Sequence, residues 1–115
     1  MQVANLVAEM DALVSKGQIV DATAQFFAEN AKTEDYEGKT TSNKAEMLEK
    51  MTGFANAIQK VNGITHHHTA ATENISMSEF TFDFDMKDGS RVLWHEIIRR
   101  RWENGKVVHE QYFLS

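Results

Sequence analysis

Apolar residues return every three or four positions in the first half of this chain and every second position in the later half. Val3, Leu6, Val7, Met10, Leu13 and Val14 form one stripe of helical period, and the stripe ends at Gly17, a residue suited to the left-handed turn that closes a helix. Ile19, Val20, Thr23, Phe26 and Phe27 continue that period and predict a second, short helix to about Asn30. A third is predicted from Asn43, which can form a capping box with Glu46. It runs through Leu48, Met51, Phe54, Ala55 and Ile58 to Asn62-Gly63.

After Gly63 the period changes to two. Phe80, Phe82 and Phe84 alternate with Thr81, Asp83 and Asp85, so one side of that strand is core and the other polar. Lys87-Asp88-Gly89 and Glu103-Asn104-Gly105 are turn signals between strand-like runs. The pattern predicts antiparallel strands at about 64–73, 78–86, 91–102 and 107–114. Three helices followed by a curved antiparallel sheet make an α+β domain, a single unit over residues 1–115.

Reading both turns as three-residue loops sets the register. Met86 then faces Ser90 and Trp102 faces Lys106, which places Phe82, Trp94, Glu96, Arg100, Trp102, Val108, Glu110 and Tyr112 on one face of the sheet. Leu93, His95, Arg99, Arg101, Val107, His109 and Phe113 take the other.

Composition narrows the function classes. With 42% hydrophobic and 25% charged residues the chain is expected to fold, and a formal charge of −5 offers no basic field for nucleic acid or anionic lipid. Arg99-Arg100-Arg101 is basic only as a string, because a strand sends alternate members to opposite faces. Cysteine is absent, which excludes disulfides, thiolate catalysis and Cys-ligated zinc. The N-terminal segment carries Glu9 and Asp11 and no basic leader, and no apolar run approaches the roughly 18 residues of a membrane span, so a cytoplasmic protein is expected.

Charged groups on a half-buried face must be paired, so Glu96, Arg100 and Glu110 are expected to form a network with Arg100 in the middle, able to hold an anionic or carbonyl-bearing ligand. Trp94, Trp102, Tyr112 and the three strand phenylalanines, Phe82 among them, would line a pocket for an apolar or ring-bearing compound, or fill it. Strand alternation puts His66 and His68 on one face and His67 on the other. Such a pair could supply two metal ligands, with Glu96 the plausible third, or one imidazole could serve as a pocket acid or base. No second His-rich element supports a metal, and no cofactor is expected.

Two segments carry a family resemblance. "FFAENAKTEDYEG" is similar to a pattern of helix end, short strand and acidic residue before a Gly-containing loop, and "RRRWENGKVVHEQYF" is similar to a closing hairpin that ends in aromatics. With the element order, they make the chain resemble the SnoaL-like group of the nuclear transport factor 2-like superfamily, the cone-shaped α+β fold of ketosteroid isomerase and scytalone dehydratase. The resemblance implies a pocket between the helices and the concave side of the sheet, and a homodimer through the convex side. It also implies a general base at Asp35, where a carboxylate at the mouth of an apolar pocket can have its pKa raised, and an acid at His66 or His68. The positions of the steroid isomerases' oxyanion-hole Tyr and second acid fall near Met10 and Ile98, which cannot donate a hydrogen bond from their side chains. Two functions stay open: cofactor-independent proton transfer on a small carbonyl or polyketide-like compound, as in an isomerase, cyclase or dehydratase, and a non-catalytic binding or dimerisation module.

Overall fold

The computed structural model describes residues 2–114. Helix α1 spans Val3–Ser15, α2 Ile19–Phe26 and α3 Lys44–Ala57, with short strands β1 (Phe27–Glu34) and β2 (Thr40–Thr41) between the second and third helices. Four longer strands follow, β3 (Ile58–Ala71), β4 (Ile75–Met86), β5 (Arg91–Glu103) and β6 (Lys106–Leu114). All six strands form one sheet in the order β2-β1-β6-β5-β4-β3, antiparallel except where β1 runs parallel to β6. The helices cover its concave side, where Leu6, Met10, Phe26, Met47, Phe80 and Ile98 belong to one apolar cluster. Among the described residues no helix is long and apolar enough to cross a membrane.

Two helix ends differ from expectation. Helix α2 stops at Phe26 rather than near Asn30, because Phe27 pairs with Val107 and residues 27–34 become a strand edge against β6. Helix α3 stops at Ala57 rather than at Asn62-Gly63: Ile58 faces Met86, Val61 faces Phe84, and the ladder to β4 takes the backbone groups that a helix would have used. The apolar spacing of Phe54, Ile58 and Val61 suits either conformation, and the long partner strand decides. The start of α3 is as expected. The Glu46 N–H donates to Asn43 Oδ1 at 2.9 Å, and Glu46 Oε1 accepts from the Ser42 N–H at 2.8 Å.

The first hairpin has the expected register, with the Met86 N–H donating to the Ser90 carbonyl at 2.8 Å and Gly89 at φ +91°. The second does not. Asn104 and Gly105, both at positive φ, make a two-residue turn, so Glu103 faces Lys106 and Trp102 faces Val107. A bulge then leaves Val108 without a partner, and from Arg101–His109 onward the parity returns to the expected one. Val107 is therefore buried against Trp102, whereas Val108 leaves the core; Glu110 and Tyr112 keep their expected side.

Candidate functional site

A cavity of about 320 Å³ lies between the helices and the concave face. Its wall is largely apolar, with Met10 from α1, Phe54 from α3, Phe82 and Phe84 from β4, and Trp94 and Ile98 from β5. Phe54 stacks on Trp94 at 5.5 Å between centroids, and Tyr36 meets Trp94 edge to face at 6.1 Å. Two expected lining residues lie elsewhere in the core. Phe80 is fully buried between His66 and Phe82, and Trp102 packs edge to face on Phe26 while its indole N–H donates to Ser76 Oγ at 2.9 Å.

The floor of the cavity is charged. Arg100 is 1% exposed; its Nε donates to Glu110 Oε2 and its Nη1 to Asp11 Oδ1, both at 2.8 Å. Asp11 Oδ2 accepts from Ser78 Oγ at 2.6 Å and Thr69 Oγ1 at 2.9 Å, and the Tyr112 hydroxyl donates to Glu110 Oε1. Buried ions are tolerated only when their donors and acceptors are met, which this arrangement does. Burial opposes the Arg100 charge, but Glu110 and Asp11 outweigh it and hold the guanidinium above its ordinary pKa. For Glu110 burial wins, and its carboxyl stands above the ordinary range although Arg100 pulls it down.

Arg100 is central, as expected, but its second partner is Asp11 and not Glu96. Glu96 is 7% exposed, lines the cavity, and makes no hydrogen bond or ion pair with any described residue. Burial, aided by repulsion from Glu110 and opposed by Arg100, pushes its carboxyl up to about 7. A group divided between acid and carboxylate near neutrality can give or take a proton at small cost.

Asp35 lines the mouth, as expected, but its chemistry is different from that of a raised base. Its Oδ1 accepts from the backbone N–H of Glu37 and of Lys39, each at 2.9 Å, and its Oδ2 from Lys50 Nζ at 3.2 Å. Burial pushes the carboxyl up, yet the two backbone donors and the lysine together hold it below its ordinary value. Asp35 organises the loop after β1.

Neither candidate histidine reaches the cavity wall. His66 faces Phe80 on the concave side, stacks on its ring and shares a 2.5 Å hydrogen bond with Thr69 Oγ1, with its Nε2 3.6 Å from Asp11 Oδ2. His68 is on the opposite side, because His67 is bulged out of the ladder between His66–Phe80 and His68–Glu79. His67 and His68 both join Glu79, Thr81 and His95 around a depression of the convex face. The bulge dissolves the expected His-x-His pair, and among the described residues no three His, Asp or Glu side chains converge as metal ligands would.

Asp11, the second partner of Arg100, is not among the candidates that the sequence pattern singles out. It stands between Met10 and Val14, four residues after Val7, inside the apolar stripe of α1, and a carboxylate at such a position requires a buried partner.

A family model described as SnoaL-like domain matches residues 1–114. No curated protein matches the sequence. Among solved structures, a candidate SnoaL-like polyketide cyclase from Mesorhizobium loti superposes with a TM-score of 0.87 at 20% identity, over 98% of this chain and 99% of that one. A protein of ketosteroid isomerase-like fold from Catenulispora acidiphila, in complex with trimethylamine, gives 0.78 at 14% identity over 100% and 88%. TerC, co-crystallised with polyporic acid, gives 0.76 at 8% identity over 97% and 90%. At these identities the likeness is one of fold. The family match over nearly the whole chain, joined to three helices on a curled, mainly antiparallel sheet, makes this chain a member of the SnoaL-like domain family, built on the nuclear transport factor 2-like fold.

Proposed function

We propose that the cavity binds a small apolar, ring-bearing compound and that Glu96 exchanges a proton with it without a cofactor. The observation that carries this reading is a buried carboxyl with no protein partner, poised at about 7 inside an apolar cavity. Arg100 supports it: it lines the cavity, and with Nε and Nη1 held by Glu110 and Asp11 its Nη2, which makes no hydrogen bond to a described residue, is left as a fixed donor for a carbonyl oxygen. Phe54, Trp94 and Tyr112 supply ring faces and an apolar wall. Asp35 keeps the mouth loop in place rather than acting as the base, and His66 and His68 have no part in the transfer. The likeness to a candidate polyketide cyclase and to TerC with polyporic acid agrees with a ring-bearing carbonyl compound.

The test is hydrogen–deuterium exchange next to the carbonyl of a bicyclic ketone such as tetralone, followed by NMR. Exchange is expected with wild-type protein, with a pH dependence centred near 7, and is expected to vanish in Glu96→Gln. One observation favours a second reading, a binding module: of the expected acid–base set, only Asp35 lies at the cavity, and it is tied to a turn. Ketone binding without exchange would establish that reading.

The convex face is proposed as a homodimer surface. Met77, Leu93 and Phe113 stand 45%, 58% and 44% exposed on it, an apolar area that a second copy would cover. Sedimentation at micromolar concentration is expected to show a dimer, and a monomer would refute this.

A further inference from the structure

We propose that the ligand of the cavity carries a positively charged nitrogen, an amine or quaternary ammonium on an apolar body, seated between Glu96 and the rings of Tyr36 and Trp94. This rests on Glu96 being the group that meets the ligand, and it adds the ligand's charge.

The first support is the balance of buried charge. Asp11, Glu96 and Glu110 are 1%, 7% and 3% exposed, and Arg100 is the one buried cation among the described residues. Arg100 is engaged by Asp11 and Glu110, and this leaves Glu96 without a cation. The lysines at the mouth do not fill the place: Lys50 is paired with Asp35 at 3.2 Å, and Lys39 lies 4.0 Å from Glu37, which it accompanies at the surface. No element packed around Glu96 brings it another positive group. β4 contributes Phe82 and Phe84 there, β6 contributes Glu110 and Tyr112, and the loop after β1 contributes Asp35, Tyr36 and Glu37 with Lys39. Of α1, Met10 and Val14 reach the cavity, and of α3 the charged group is Lys50.

The second support is the wall beside the carboxyl. Trp94 stands two residues before Glu96 on the same face of β5; Phe54 covers one face of its indole, and Tyr36 meets it at an interplanar angle of 68°. Electron-rich ring faces beside a carboxylate are how proteins hold alkylammonium groups, because each attracts positive charge while the rings tolerate the alkyl shell. An anionic ligand would meet the field of Glu110 and Glu96 instead, and a neutral one would leave Glu96 holding its proton.

That difference makes the proposal measurable through proton linkage. A cation next to Glu96 favours its carboxylate, so binding expels the proton and tightens as pH rises through about 7, then levels off. A ligand that needs the protonated acid shows the reverse. The probes are 4-methoxyphenyltrimethylammonium and its neutral isostere 4-tert-butylanisole, neither of which titrates in this range, added to the full chain in calorimetry at pH 6 and pH 8 in buffers of differing ionisation enthalpy. The ammonium is expected to bind about tenfold tighter at pH 8 than at pH 6, with release of close to one proton at pH 6 and almost none at pH 8, as follows from a single linked group. The isostere is expected to show neither effect. Glu96→Gln should remove the pH dependence, and Trp94→Leu should weaken the ammonium more than the isostere. Equal affinity of the two probes at pH 8, or affinity that falls with rising pH, overturns the proposal. Binding of the neutral ether alone defeats the cationic ligand and leaves the proton-transfer site standing, whereas binding of neither probe defeats both.

Discussion

The concave and convex faces of the sheet are built from the same strands and carry many of the same residue types, but in the single chain the charges of the first are buried and those of the second are open to solvent. On the convex face Arg91 makes a bidentate pair with Asp83 at 2.7 and 2.9 Å, His95 bonds Glu79 at 2.6 Å, and Arg101 meets Glu103. On the concave face Arg100 meets Asp11 and Glu110 at 2.8 Å. The distances are alike and the consequences are not. Solvent screens the convex pairs and hydrates each partner when the other is lost, so they contribute little to stability. The concave charges have no such recourse, so each must be satisfied by a neighbour or give up its charge. Arg100, Asp11 and Glu110 take the first course, and Glu96 takes the second.

The comparison can be broken most directly at Arg100. Arg100→Met leaves Asp11 and Glu110 buried without their cation and is expected to cost about 3–5 kcal/mol in urea unfolding. A loss below about 1 kcal/mol would mean that water enters the network and that the two faces do not differ as described.

Next in size is Glu96→Gln, which should act in the opposite direction. The folded chain keeps the Glu96 proton up to about 7, whereas the unfolded chain loses it near 4.5. Folded protein therefore binds more protons between those values, and stability falls as pH rises across them and is flat above. The amide removes that loss, so the variant should be more stable than wild type at pH 8, by up to about 3 kcal/mol, and little changed at pH 4. Thermal melts at the two pH values check it. A gain at an apparent functional site is the expected signature of a group kept for chemistry at a cost in stability.

Ser78→Ala removes one donor to Asp11 Oδ2 and keeps the other, Thr69. A loss of about 1–2 kcal/mol is expected from the same denaturant titration. The smallest effect belongs to the convex face. Arg91→Ala should leave the urea midpoint within error, and added salt should erase whatever difference low salt reveals.

Much of this molecule is legible in the order of its residues. The stripe of α1, the Asn43 cap and the alternation of Phe80, Phe82 and Phe84 are local signals, and local signals survive folding because tertiary contacts reinforce them. The same alternation put Glu96, Arg100, Glu110, Tyr112, Trp94 and Phe82 on one face, and all six line the cavity. Errors arose where two readings were locally equivalent. Ile58 to Gly63 suits a helix or a strand, and only the unpaired edge of β4 selects the strand. Asn104-Gly105 suits a two- or three-residue turn, and Val107 is exchanged for Val108 in the core as a result.

Residue order alone thus settled the α+β class, the family, and which strand residues face inward, because side-chain period is a property of the backbone. Pairing was left to the tertiary structure. One bulged residue, His67, sent His68 to the far side of the sheet, and helix docking joined Asp11 to Arg100, eighty-nine positions further along the chain, thereby leaving Glu96 as the free carboxyl. Two backbone amides and Lys50 hold the carboxyl of Asp35 below its ordinary range, where the sequence predicts a raised one. Hydrogen bonds and charge interactions act over a few ångströms, and which groups come that close depends on register, bulges and helix docking, none of which is a property of any single stretch of sequence.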